Sequence, residues 1–237
     1  MATILLIETA TPICSTAIEH NGTIIAVNES SEPNSHSSKL SILIKELLDK
    51  ANITYNMLDS VCVSSGPGSY TGLRIGVSTA KGLCYALDKP LLAVETLQSM
   101  ALGYYNTHPE YTGYVCPMID ARRMEVYAAI FDNNGNYIKP TSADIITEDI
   151  YDQWLANEQI RFIGDGADKT HSILGNKHNV SFDNEYKISA SGMACIAEEL
   201  YKQGKFEDIA YFEPFYLKDF VAAKPNIKGL TIKNKGN

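Results

Sequence analysis

The residues best placed to do chemistry form one run, Ser64-Ser65-Gly66-Pro67-Gly68-Ser69-Tyr70-Thr71-Gly72. It follows an apolar segment and opens a helical pattern, a context in which free backbone N–H groups hold an anion. It lacks the Lys-Ser or Lys-Thr of a Walker A loop, and Gly72 falls too late for the G-x-G-x-x-G of a dinucleotide site. Glu8, at the end of an early apolar run, is a candidate to hold a hydrated Mg²⁺; the plainer reading is a solvated turn acid. The histidines, at 20, 36, 108, 171 and 178, show no pair at metal-ligand spacing, and the cysteines, at 14, 62, 84, 116 and 195, show no C-x-x-C pair. Ser69 and Cys84 have no neighbouring histidine to activate them, and no H-E-x-x-H occurs. The sequence therefore assigns no catalytic residue and no metal site.

Residues 3–7, 13–18 and 23–27 read as three antiparallel strands, with Asn21-Gly22 closing the second hairpin. The order returns at residues 114–119, 124–131 and 137–138, with Asp120 where the first copy has Glu8 and Asn133-Asn134-Gly135 at the turn. Each copy continues into a helical pattern, a short strand and a glycine pair: residues 60–64 then Gly66-Pro67-Gly68, and residues 161–163 then Gly164-Asp165-Gly166. The second helical stretch lies near residues 149–156. Two copies of one β-β-β-α-β-α plan are the economical reading, and two unrelated hairpins of similar spacing are the rival. Duplicated units of this kind are the plan of the actin, Hsp70 and sugar-kinase superfamily, an α/β fold. In it the glycine run and the first hairpin turn face an interdomain cleft, which makes Glu8, Thr9, Ala10, Gly66, Gly68 and Ser69 the candidate nucleotide-binding residues. The polar segment 104–112, with Pro109, is the candidate linker. The expected units are 1–104, 105–218 and a flexible tail, 219–237, whose composition from Lys224 onward is Pro, Gly, Asn and Lys-rich.

Two helices carry most of the remaining signal. Residues 38–51 place Leu40, Leu43, Ile44, Leu47, Leu48 and Ala51 on one wide apolar stripe, with Ile42 off it and seryl residues at 35, 37 and 38 available as caps. Residues 69–87 carry Gly72, Gly76 and Ala80 at four-residue spacing, beside an apolar stripe of Leu73, Val77, Cys84 and Leu87 and a polar one of Arg74, Ser78 and Lys81. A helix-interior glycine costs about 1 kcal/mol relative to alanine, so the small-residue row signals close packing. The packing is either onto the chain's own sheet or against a helix of another chain.

A net charge of −8 disfavours direct counterion-driven RNA binding by the whole surface, and no apolar run approaches the length of a membrane span. The first residues read as a strand rather than a signal peptide, and the cysteines, mostly inside apolar runs, fit a reducing cytoplasm.

The run from Ser65 to Gly76, continuing through Ala80-Lys81-Gly82-Leu83, closely resembles the core motif of the TsaB family. Residues 4–15 resemble that family's N-terminal motif, with Glu8 where an aspartate is usual. Asp120-Ala121-Arg122-Arg123-Met124-Glu125-Val126-Tyr127 and Pro214-Phe215-Tyr216-Leu217-Lys218 are similar to its second-domain and closing motifs. The resemblance implies an actin-like fold and a non-catalytic partner subunit for TsaD, the transferase that places threonylcarbamoyl on adenosine 37 of tRNAs reading codons that begin with A. It implies docking through the two helices, with Leu40, Leu43, Ile44, Leu47, Leu73, Arg74, Gly76, Val77, Ala80, Lys81 and Cys84 as partner-binding residues. It further implies a homodimer in the absence of TsaD, recruitment of the ATPase TsaE to the pair, contact with tRNA only through partners, and no cofactor of its own, with ATP or ADP near the junction. Where TsaD carries a metal-binding H-x-x-x-H, this chain has Thr96 and Met100, neither a useful ligand. The alternative is an actin-like-fold ATPase or an M22-type peptidase homologue with its own activity; Arg122-Arg123 reads as a solvent-facing hairpin turn rather than a phosphate clamp.

Overall fold

The computed structural model describes residues 2–32 and 35–218. The first half runs β1 (Thr3–Glu8), β2 (Cys14–His20), β3 (Thr23–Ser30), α1 (Ser35–Ala51), β4 (Ser60–Gly66), α2 (Tyr70–Leu87), β5 (Leu91–Glu95) and α3 (Thr96–Thr107). The second half runs β6 (Tyr114–Asp120), β7 (Glu125–Phe131), β8 (Tyr137–Ile145), α4 (Asp152–Leu155), β9 (Ile160–Ile163), α5 (His171–Leu174), β10 (Val180–Asp183) and α6 (Ala194–Gln203). The strands form two sheets of five, ordered β3-β2-β1-β4-β5 and β8-β7-β6-β9-β10. In each, the first three strands pair antiparallel and the last two join the first in parallel. The duplication read from the hairpins is thus a duplication of topology.

Alternation along the central strands explains the layering, because successive side chains of a strand point to opposite faces. Leu5 and Ile7 of β1 and Val61 and Val63 of β4 face α1 and α2 in one apolar cluster. Ile4, Leu6 and Cys62 face the opposite way, onto Met193, Ala194 and Ala197. That second layer comes from the C-terminal part of the chain, so α6 covers the first sheet. The unit expected at 105–218 is therefore corrected: from about Ala190 to Tyr216 the chain packs on the first lobe. The linker expected at 104–112 is corrected as well. Tyr104 and Tyr105 belong to α3 and are buried, Tyr104 stacks on His108 with ring centroids 4.2 Å apart, and the Tyr105 hydroxyl donates to the Gly113 carbonyl at 2.8 Å. The aromatic side chains make this segment part of the core that joins the lobes. The helical stretch near 149–156 shortens to the single turn α4, and the tail 219–237 lies outside the described residues.

The second lobe is pinned by a buried polar network. The Lys139 ammonium, 10% exposed, donates to both carboxylate oxygens of Asp144 at 3.1 and 2.9 Å. Ser142 Oγ and Tyr151 Oη donate to the same carboxylate at 2.6 and 2.7 Å. Every oxygen of Asp144 is satisfied, which is the condition under which a buried charge is tolerated.

Candidate functional site

A cavity of about 500 Å³ lies between the lobes. The first lobe lines it with Ala10, Thr11, Pro12, His36 and residues 67–71; the second with Ile119, Asp120, Ala121, Arg122, Tyr127 and Asp165; residues 215–218 form a third wall. Of the six candidate nucleotide-binding residues, Ala10, Gly68 and Ser69 reach this cavity, whereas Glu8, Thr9 and Gly66 are not among its lining residues. The glycines are used by the chain's own first hairpin turn: a Cβ at Gly68 would come within 3.0 Å of Ala10, one at Gly72 within 3.0 Å of the Thr9 carbonyl oxygen, and one at Gly76 within 3.0 Å of the Thr9 hydroxyl. The first hairpin turn is laid directly on α2, and that is the close approach the small-residue row provides. Ser69 caps α2, its hydroxyl accepting from the Gly72 N–H at 3.2 Å.

Both readings of Glu8 are corrected. Its side chain is fully buried, so it is neither a solvated turn acid nor open to a hydrated cation. One oxygen accepts from the Ala10 N–H at 2.6 Å and from Ser64 Oγ at 3.0 Å, and the other has no partner. Burial pushes its pKa up to about 7 against those hydrogen bonds. Between the unfolded value near 4.5 and about 7 the folded state holds the proton that the unfolded state has lost, so stability falls as pH rises through that window. Glu8→Gln keeps the acceptor and cannot ionise. We expect the stability of the variant relative to the parent to rise by about 3 kcal/mol between pH 4.5 and pH 7.5, measured by urea unfolding at each pH; a pH-independent difference contradicts this placement of Glu8.

In the second lobe, Asp120 occupies the position equivalent to Glu8 but stays exposed, paired with Lys169 and accepting from the Arg122 N–H at 3.0 Å. Asp165 Oδ1 accepts from the Asp120 N–H at 3.2 Å. Burial raises the Asp165 carboxyl, while at Asp120 the hydrogen bonds from Lys169 and Arg122 outweigh burial and hold it low. Arg122 and Arg123 form a solvent-facing turn as expected, with φ of 69° and 53°, and Arg122 also borders the cavity. The internal repeat was the signal for Asp120 and Asp165; the third wall had none beyond its motif. Among the described residues no group of three or more potential metal ligands assembles.

The helices α1 and α2 turn their apolar stripes inward. Leu40, Leu43, Ile44, Leu47, Leu73, Val77, Ala80 and Cys84 are each at most 6% exposed, and Gly76 is buried on Thr9. These nine residues, expected to bind a partner, are buried inside the chain instead, because a wide apolar stripe is driven onto the nearest sheet. Arg74 remains exposed, and Lys81 is half-buried, its ammonium donating to the carbonyls of Ala210 at 3.2 Å and Phe212 at 3.0 Å. The free face consists of Ser41, Ile42, Lys45 and Glu46 of α1 with Arg74, Ser78, Gly82, Tyr85 and Ala86 of α2. Ile42 is 53% exposed and Tyr85 84%. A Cβ at Gly82 would meet nothing within 4 Å, so nothing inside the chain requires that glycine. Gly82→Ala should therefore gain about 1 kcal/mol of stability from helix propensity, while Gly72→Ala should lose about 1–3 kcal/mol to overpacking. Equilibrium unfolding of the two variants checks the opposite signs.

A family model described as TsaD, tRNA N6-adenosine threonylcarbamoyltransferase, matches residues 28–228. The tRNA threonylcarbamoyladenosine biosynthesis protein TsaB of Escherichia coli K12 is 31% identical over 227 residues, covering 93% of this chain and 96% of its own. The chain belongs to the TsaB family. It thereby takes its place in tRNA threonylcarbamoyladenosine biosynthesis. A solved protein from Pseudomonas aeruginosa, described as similar to peptidase YeaZ, superimposes with a TM-score of 0.79 at 26% identity over 92% of this chain and 100% of its own. The activator of the 2-hydroxyisocaproyl-CoA dehydratase of Clostridium difficile shares the fold, with a TM-score of 0.51 at 11% identity over 86% of this chain and 97% of its own. The TsaB-family chain thus has the actin-like architecture expected from its duplicated hairpins. No helix among the described residues is long and apolar enough to cross a membrane.

Proposed function

We propose that this chain is the non-catalytic subunit that enables threonylcarbamoyl transfer to adenosine 37 of tRNAs reading codons that begin with A. It does so by pairing with TsaD through the outer face of α1 and α2, and TsaE joins the pair. The observation that carries this reading is Gly82: an exposed helix-interior glycine with open space around it has no use inside the chain, and a close helix approach from outside supplies one. The match of a TsaD family model to this chain supports a partner with equivalent helices, so that the two can meet in a near-symmetric bundle. Without TsaD, a second copy takes the same face.

The chain is inferred to need no cofactor of its own, since the first hairpin turn lies directly over the start of α2, with Ala10 on Gly68, the Thr9 carbonyl on Gly72 and the Thr9 side chain on Gly76. ATP or ADP belongs near the partner junction, tRNA is held through the partners, and the complex works in the cytoplasm. The buried thiols also favour a non-catalytic subunit over a peptidase, because burial pushes Cys14 and Cys84 up to about 11, away from the thiolate a nucleophile needs.

The test is a reconstituted modification assay with TsaD, TsaE, tRNA and the threonylcarbamoyl donor. Modification should require this chain, and this chain alone should modify nothing. A rate unchanged by omitting it contradicts the proposal, and ATP or peptide turnover by the chain alone favours an enzyme of its own.

A further inference from the structure

The chain leaves α6 and crosses the first lobe as a strap. Its Glu207 N–H donates to the Leu91 carbonyl at 2.9 Å, Ile209 and Phe212 pack on the core under α2, and Lys81 holds the Ala210 and Phe212 carbonyls. The strap then enters the glycine loop. The Phe215 N–H donates to the Ser65 carbonyl at 2.7 Å, and a Cβ at Gly66 would come within 3.0 Å of the Phe215 carbonyl oxygen. Gly66 has φ +111°, so only glycine suits both that backbone and that approach. Tyr216 lies against Tyr70 with ring centroids 4.8 Å apart. Past Tyr216 the strap leaves the first lobe, and the Lys218 ammonium pairs with Glu125 at the start of β7, in the second.

The lobes are also joined through α3, which contacts β4 and β5 on one side and β6 and β7 on the other. The cavity between them is lined by the first-lobe turns, the second-lobe turns and residues 215–218. We propose that residues 214–218 form a latch across the mouth of the cleft, with Lys218–Glu125 as the catch that sets how often the strap end lifts from the second lobe. Lys218 is 39% exposed and Glu125 22%, and a partly solvated ion pair of this kind shifts an equilibrium by a factor of up to about five. The catch is weak enough to open reversibly, and each opening loosens the aromatic contact and the Phe215 hydrogen bond that seat the strap end on the first lobe.

Hydrogen exchange on the full chain tests this, with Lys218→Glu, Glu125→Lys, the charge-swapped double variant and Tyr216→Ala. Each single charge reversal should speed exchange at the Phe215 amide and along residues 119–127 by two- to five-fold, with the thermal midpoint unchanged. The double variant should return both to the parent rates, and Tyr216→Ala should loosen Phe215 at least as much. Single variants that exchange like the parent, or a double variant no better than the singles, would overturn the latch.

Discussion

Gly82→Arg should leave the fold intact and raise the dissociation constant for TsaD at least about 30-fold. The position is exposed, a Cβ there meets no atom of this chain within 4 Å, and arginine is a better helix former than glycine. Stability therefore holds or rises slightly. At the centre of a close helix contact, the same substitution inserts a long charged side chain where backbones meet, and a disrupted interface centre costs 2 kcal/mol or more, which is the basis of the expected weakening. Gly76→Arg serves as the contrast: its Cβ would come within 3.0 Å of Thr9, so it should lose folded protein before any interface is tested. Calorimetric titration of TsaD with each soluble variant, alongside its unfolding curve, separates the two. Binding of Gly82→Arg at the parent's affinity would remove this face from the interface.

Asp144→Ala should be the most damaging single substitution in the second lobe, at about 3–5 kcal/mol, because it leaves the Lys139 charge buried and unpaired. The Tyr151 and Ser142 hydroxyls lose their acceptor as well. For a chain of this size that corresponds to a fall of about 10 °C in thermal midpoint. The double variant Lys139→Met with Asp144→Leu removes both charges together and should be markedly more stable than Asp144→Ala alone, since the apolar replacement of a buried pair is often neutral. A double variant as unstable as the single would show that packing, rather than the unpaired charge, sets the cost.

The fold was legible because the duplicated hairpins carry their own markers: an acid at the end of β1 and of β6, a turn glycine after β2 and after β7, and a glycine pair after β4 and after β9. The return of α6 to the first sheet was not, because a short amphipathic helix does not say which apolar layer it covers. The helices α1 and α2 were legible as elements, while the apolar residues expected on an outer face turn inward, leaving only Arg74 and Lys81 of that set at the surface. Periodicity identifies the apolar stripe, and the apolar stripe belongs first to the chain's own sheet; the exposed face is left with Arg74 and Ser78 of the polar stripe and with Gly82 and Tyr85, which neither stripe singled out. Glu8 misled in the same way, since a carboxylate at a strand end reads as solvated until the glycines of α2 are seen to bring the turn down onto the helix. The strap was visible only as a motif, because its contacts, to Ser65, Gly66, Tyr70 and Glu125, lie far from it in the chain.

Light scattering on the chain alone, then with an equimolar amount of TsaD, tests the proposed pairing. A one-to-one complex should form at the expense of self-association. Two separate species at concentrations where tRNA modification proceeds would contradict it.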